Sequence, residues 1–425
     1  MNGLLRLLAV GALIAPAALA TGVTPAAAEK LTIFSHAVHQ RVLAEGKGGS
    51  VLDDWQKETG NTTEFVTFGV PELHERLFRE ASLGNSEVGA AYLLNRFTDE
   101  NVIQLFEPLD DYIAKDPIED FAGISPSLVD GITYDGKVYG IPIRHATHGL
   151  IYNEELLKEQ GFDGPPKTWE EVIEYARKLT YKRADGTQVY GIIFGGLGSS
   201  NIIDVMRVYG GDFVTQDMQV TADSPETIQG VQLLVDLFKE GVLPKTIVTF
   251  ATEDATTYMQ QGRAAMIIEP MDRSKAYGDP KASRFPGAYK VVPVPPLAAN
   301  AGTPVPVKTE FWSLVIPKNS PDKDLAWSFI KYVSTPEAMK RQALNGNGAT
   351  RASVLADADV KADVPYAEAL SEAVSVARVP MPGFKGSAQA DDVIREELQA
   401  ALIGAKTAEA AMKDAASRIK AIIGN

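Results

Sequence analysis

The sequence predicts an α/β fold of two lobes with a helical C-terminus. Three observations lead there. Short apolar strands alternate with amphipathic helices over the first hundred residues, the pattern of a parallel sheet with helices on its faces. The chain, at 425 residues, exceeds a comfortable single core. A proline-rich stretch over residues 285–306, with Pro293, Pro295 and Pro296, separates two structured regions and either connects lobes or wraps a surface.

Taken in order, residues 30–34 read as a first strand and Val51–Thr59 as a helix stopped by Gly60. Residues 63–68 form a second strand. Pro71 opens a helix with Leu73, Leu77, Phe78 and Ala81 near helical spacing, and residues 88–94 form a third strand. Thr168 and Glu171 fit a capping box for a helix over 169–179. Ser224-Pro225 places an N-cap before a proline at the first helical position, and Gly241 ends that helix. Residues 258–261 close a short helix before a strand over 265–268. A strand over 313–316 and a helix over 322–334 follow; Ala326, Phe329, Ile330 and Val333 give the helix one apolar face. Residues 391–423 are alanine-rich and helical.

The N-terminus carries its own signal. Arg6 precedes an apolar run over 7–20, and Ala26-Ala27-Ala28 follows. This is the pattern of a secretory signal peptide over residues 1–28, cleaved after Ala28. Gly11 and Pro16 interrupt the run, which is short for a membrane span of ~20 residues. Beyond it stand 55 acidic residues against 40 basic ones, once Arg6 is taken from the 41 in the chain. So acidic a surface lacks the basic footprint that nucleic acid requires. Cysteine is absent, which excludes disulfides, thiolate zinc sites and a thiol nucleophile, and leaves no residue for a lipid anchor at the cleavage site. The expectation is a free, periplasmic protein.

Four segments then stand in a characteristic order. They are Gly136-Lys137-Val138-Tyr139-Gly140-Ile141-Pro142 with Gly149-Leu150-Ile151-Tyr152-Asn153; Pro166-Lys167-Thr168-Trp169-Glu170-Glu171; Gln261-Gly262-Arg263-Ala264-Ala265-Met266-Ile267; and 312–319 with Ala326-Trp327-Ser328-Phe329-Ile330. Together they resemble family 1 of the extracellular solute-binding proteins, typified by maltodextrin-binding proteins. The resemblance implies a two-lobed periplasmic binding protein fold of type II with a hinge. Residues 29–144 plus 313–352 would form the N-terminal lobe, and 145–312 plus 353–425 the C-terminal lobe. It further implies a monomer that captures a small molecule, a carbohydrate, between the lobes and delivers it to the membrane permease subunits of an ABC importer. No cofactor and no catalysis are expected.

Sugar sites combine aromatic faces for the ring with planar polar groups for the hydroxyls, because a hydroxyl that leaves water must regain partners. Family architecture puts Ser35, His36 and His39 at the cleft edge after the first strand, and Asn95 and Arg96 at the same place after the third. Each has a structural alternative, a loop histidine on backbone or a helix cap. Arg144, His145 and His148 surround the first crossing between lobes, and His145 is the preferred contact there. The run 195–201 is glycine-rich and ends in Ser199 and Asn201 before a helix; it has no Walker lysine, so a nucleotide is not indicated. Glu269 and Asp272 follow a strand, with an ion pair to Arg273 or Lys275 as the alternative. Trp312 is the expected aromatic platform. Asn347 lies in the turn Asn345-Gly346-Asn347-Gly348, and Arg351 after it offers a bidentate guanidinium.

Three alternatives remain. Arg96, Arg144 and Arg351 together would suit an anionic ligand such as a sugar acid, a sulfonated sugar or glycerol phosphate. The His36/His39 and His145/His148 pairs have the spacing of metal ligands, though on loop and hinge segments. A glycoside-processing enzyme would need paired carboxylates, whose spacing is spatial and unreadable here. No G-x-S-x-G, H-E-x-x-H or P-loop motif is present.

Overall fold

The computed structural model describes residues 28–250 and 252–424. The signal-peptide reading of residues 1–28 therefore lies outside the described residues but for Ala28. Among the described residues eleven strands run in chain order: β1 (Lys30–Ser35), β2 (Thr62–Thr67), β3 (Ala90–Leu94), β4 (Thr133–Tyr134), β5 (Lys137–Val138), β6 (Ile141–Asn153), β7 (Tyr181–Lys182), β8 (Gln188–Ile193), β9 (Ala264–Pro270), β10 (Tyr289–Val292) and β11 (Thr309–Val315). β4 and β5 form a small separate hairpin. The others form one path in the order β2-β1-β3-β11-β6-β9-β8-β7, with β10 on β6.

β6 makes this path two halves. At 13 residues it is long enough to reach ~43 Å. Residues 141–147 pair with β11, while 148–153 pair with β9 and β10. The first half is parallel at β2-β1-β3 and antiparallel where β11 enters. β3 is buried on both faces, as an internal parallel strand must be, whereas the edge strand β2 is half exposed.

Helices cover both halves for reasons visible in their sequences. Val51–Thr59 is capped by the Ser50 hydroxyl and ends at Gly60, whose φ of 76° suits glycine. It packs Trp55 edge-on against Phe329 of helix Lys323–Val333. Trp169–Lys178 starts on the Thr168 hydroxyl, and Glu171 returns its carboxylate to the Lys167 amide rather than to the Thr168 amide of a strict capping box. Pro225–Lys239 begins on the Ser224 hydroxyl, as its sequence requires.

Several elements differ from expectation. β11 begins at Thr309, four residues before the predicted strand, because Glu310 and Lys308 mask an otherwise β-branched and aromatic run. The proline-rich stretch contains β10. The C-terminal helix is two helices, Ser387–Leu402 and Ala408–Ile423, broken at Gly404 with φ 78°.

Three segments cross between the halves: β6 at 147–148, the stretch 306–309, and the stretch 374–380. The last two run side by side, with Lys308 bridged to Arg378 and the Thr309 amide donating to the Arg378 carbonyl at 2.9 Å. The sequence reading expects a third crossing, between residues 352 and 353. Before the stretch 374–380, helices Ala358–Asp363 and Ala367–Val376 pack with helices Pro336–Leu344 and Pro126–Asp130 and against β6. After it, Ser387–Leu402 and Ala408–Ile423 pack on Pro225–Lys239.

Candidate ligand-binding site

The two long crossing strands sort their side chains by alternation, since neighbours along a strand point to opposite faces and paired residues share one. Thr309 pairs with Thr147, Glu310 with Ala146, Phe311 with His145 and Trp312 with Arg144. One face therefore carries His145, Thr147, Thr309 and Phe311. It is closed by bonds from His145 Nδ1 to Thr147 Oγ1 and from Thr147 to Thr309, both 2.8 Å. The opposite face carries Arg144, Ala146 and His148 from β6, with Lys308, Glu310 and Trp312 from the other strand. This face, the floor, contributes Glu310 to a larger groove and Ala146 to a smaller cavity.

Glu310 is the centre of the floor's charge. Arg96 Nη1 lies 3.5 Å from its Oε1, and Lys308 Nζ lies 3.8 Å away. Burial alone would raise the Glu310 carboxyl, but Lys308, Arg96, His148 and Arg273 together hold it below its ordinary value. Around the carboxylate opens a groove of about 580 Å³. It is bounded by Arg96–Asp99 of the first half, Ser199 and Ser200 of the second, and the 380–388 loop that follows the third crossing. Phe97, Met381 and Phe384 supply apolar surface. Gly383 lies directly against the Thr98 carbonyl, where a Cβ would collide. A smaller cavity of about 140 Å³ is lined by Ala146, by His145 and Thr147 of the other face, and by Met271, Asp272, Asn347 and Tyr366.

Trp312 is held by rings. His39 meets it edge-on at 4.6 Å, and His74 lies tilted at 5.5 Å. His39 in turn stacks on Tyr92 at 4.0 Å, and His74 on Phe97 at 4.0 Å. Burial keeps both histidines neutral: His39 sits well below its ordinary value, helped by the Arg144 charge, and His74 is lowered to about 4.

One helix, Ser199–Val208, reaches all three crossings. Asp204 Oδ2 pairs with His148 Nδ1 at 2.6 Å, and its Oδ1 accepts the Lys308 amide at 2.6 Å. Arg207, one turn on, donates to the carbonyls of Pro306 (3.3 Å), Arg378 (3.2 Å) and Val379 (2.6 Å), with Asp212 balancing its charge at 3.1 Å. Neither side chain meets solvent to any extent. At its other end the helix presents Ser199 and Ser200 to the groove.

The expected site residues divide accordingly. Arg96, Ser199 and Trp312 border the groove or floor, and His36, partly exposed, caps the helix behind Ser35 and His39. The Ser199 amide and hydroxyl are both bonded to Asp391. Glu269 pairs with Arg273 at 3.1 Å and packs on Gly195, where any Cβ would displace it; Asn201 packs on Gly196. So the glycine run makes room for a carboxylate and an amide of the protein itself. Asp272 reaches Arg144 at 3.7 Å.

Four others have their polar atoms taken within the protein. Asn95 Oδ1 accepts the Phe311 amide at 2.8 Å, and His145 Nε2 bonds the Ala349 carbonyl at 2.7 Å on the face away from the floor. Asn347 Nδ2 donates to the Ile143 carbonyl at 2.8 Å. Arg351 is fully buried, its guanidinium bonded to the carbonyls of Glu119, Asp120 and Ser334. It thus lies apart from Arg96 and Arg144, and the three arginines do not converge. Among the described residues no three His, Asp or Glu side chains stand together as metal ligands.

Sequence reasoning missed Lys308, Glu310, Asp204, Arg207 and the 380–388 loop. The alternation Lys308-Thr309-Glu310-Phe311-Trp312 was a usable signal of a strand with one polar face. So were two charges one turn apart within the apolar run Ile202–Val208.

The described residues include no helix long and apolar enough to cross a membrane. The family model for bacterial extracellular solute-binding proteins matches residues 44–340. A probable ABC transporter-binding protein of Deinococcus radiodurans is 26% identical over 74% of this chain and 75% of its own length. The fold matches a Thermotoga lettingae ABC transporter solute-binding protein bound with α-D-tagatose, with TM-score 0.73 and 26% identity, over 93% of this chain and 100% of that one. It also matches maltose-bound T. maritima MalE3, with TM-score 0.73 and 23% identity, over 92% and 99% of the two chains.

Proposed function

The chain belongs to the bacterial extracellular solute-binding proteins, and from that premise we propose that it captures a carbohydrate or polyol in the interlobe cleft and delivers it to the permease of an ABC importer. The protein works in the periplasm, as a monomer, after loss of its leader.

The alternation of Trp312 with Glu310 and Lys308 on the floor carries this reading. An indole offers an apolar face to a sugar ring. The gap of 3.8 Å between Lys308 and Glu310 is too long for a direct hydrogen bond and admits a hydroxyl, which accepts from the ammonium while donating to the carboxylate. Arg96 adds a second donor beside the same carboxylate. Ser199, Ser200 and Asp272 approach from the second lobe, His36 from the first, and Gly383 lets the 380–388 loop close on Thr98. Closure is favoured because only the closed cleft makes both sets of contacts. Asn95, His145 and Asn347 brace the strands leading to the hinge instead, and Arg351 braces the first lobe. We place the lobe boundary at the floor, with residues 309 to about 377 on the first lobe.

The test is a thermal-shift screen of the protein against monosaccharides, disaccharides and polyols. A ligand at 100 times its Kd stabilises by ~2.7 kcal/mol, enough to read. A carbohydrate hit that is lost in Trp312→Ala and Glu310→Gln, both still folded, is the expected result. A hit that both variants keep would place the ligand elsewhere.

A further inference from the structure

Six side chains stand on the floor: Arg144, Ala146 and His148 from β6, and Lys308, Glu310 and Trp312 from the strand beside it. Five of them are long. Ala146 alone ends at its Cβ, and it is partly exposed where His148, two residues on, is buried. The floor is therefore lowest at Ala146.

Ala146 is also where two spaces meet. The residues around it turn their amides outward, His145 to the Gly348 carbonyl, Phe311 to Asn95 and Thr309 to the Arg378 carbonyl, so Ala146 and Glu310 face each other across the strand pair. Such a pair sets its Cα atoms ~5.5 Å apart, with both side chains on one face. Glu310 borders the groove of about 580 Å³, and Ala146 borders the cavity of about 140 Å³. One cross-strand step thus separates the two, a distance on the scale of a glycosidic link.

The cavity offers both kinds of group that a sugar needs. Met271, Asp272 and Lys275 of the second half line it, with Asn347, Tyr366 and Leu370 of the first. Arg144 reaches from the floor to its rim, with Asn347 Oδ1 at 3.5 Å and Asp272 Oδ2 at 3.7 Å. Both contacts are longer than a good hydrogen bond, so a hydroxyl can replace either. Burial, and after it the Asp272 charge, raises the Tyr366 hydroxyl, which stays protonated and can both donate and accept. Met271 and Leu370 give a ring an apolar wall. A volume of about 140 Å³ is also many times the ~10–15 Å³ that a single water needs.

We propose that this cavity is a second sugar subsite and that the ligand is an oligosaccharide of at least two units. One unit lies over Glu310 in the groove, the next lies against Asp272 and Tyr366, and their link passes over Ala146. Ala146 sets ligand length, since a longer side chain there would fill the passage. This inference rests on the carbohydrate reading of the cleft and narrows it.

The experiment is calorimetric titration of the protein with glucose, galactose, mannose and mannitol, and with maltose, cellobiose, trehalose, lactose, melibiose and mannobiose. The best disaccharide should bind about tenfold or more tightly than either of its units, one molecule to one protein. In Ala146→Met that advantage should fall below about threefold, and Tyr366→Phe should reduce it as well. Ala146→Val replaces the methionine variant should circular dichroism show that it fails to fold. A monosaccharide or polyol binding as well as the disaccharides would overturn the second subsite and leave the carbohydrate reading standing. So would two monosaccharides bound per protein, or an advantage that survives in both variants. Failure of every sugar would overturn both.

Discussion

Trp312 owes its orientation to two neutral histidines, and their neutrality has a pH signature. Burial pushes His74 down to about 4, and His145 behind the floor to about 4 as well, against an ordinary 6.5. In the unfolded chain both take up protons as pH falls through ~6.5, while in the folded protein they resist until about pH 4. The unfolded state then binds more protons, so stability is full above ~6.5 and declines as pH drops toward 4, by up to ~3 kcal/mol per histidine. Urea midpoints should fall between pH 7 and pH 4.5, and His74→Gln should flatten that fall. An unchanged slope in the variant would mean that His74 is protonated in the folded protein. At this scale the sequence was only partly legible. Histidine, asparagine and arginine near a hinge look alike whether they face ligand or backbone. Arg351 and Asn347 turned inward because nearby carbonyls needed donors, and a linear sequence does not show which carbonyls those are.

The helix Ser199–Val208 shows what an element adds to its residues. Asp204 and Arg207 stand one turn apart on one face, so a single helix holds three segments remote in sequence. Arg207→Met leaves Asp212 and the crossing carbonyls without their donor, and breaking such a buried pair costs ~3–5 kcal/mol. Equilibrium urea unfolding should show a loss of that order; a loss below ~1 kcal/mol would mean that the tie is idle. Most elements were legible because their signals are local: Thr168 and Ser224 announced helix starts, and Gly60 and Gly241 announced ends. β10 and the start of β11 were not. Prolines and charges disguise them, and what makes them strands is pairing with β6, a partner more than a hundred residues away.

For the whole molecule, the two-lobed architecture followed from length, alternation and four ordered motifs, whereas the course of the chain through 374–380 did not, since nothing there reads as a strand. That crossing delivers the 380–388 loop to the groove. Gly383 is its point of contact with the first lobe, and Gly383→Ala would set a methyl against the Thr98 carbonyl. The variant should fold with an unchanged melting temperature in the absence of ligand, yet bind any ligand of the cleft at least tenfold more weakly through faster release. Small-angle scattering should show less compaction at saturating ligand; full compaction would mean that the loop does not gate closure. The two crossing strands also have a consequence for change over time. Parity separates their duties. Odd positions, His145, Thr147, Thr309 and Phe311, hold the hinge together. Even positions, Arg144, Ala146, Lys308, Glu310 and Trp312, are spared that duty, with His148, tied to Asp204, the exception. On the proposed reading of the floor, a lineage can exchange one ligand for another by altering every second residue of two short strands, without rebuilding the joint on which the protein opens.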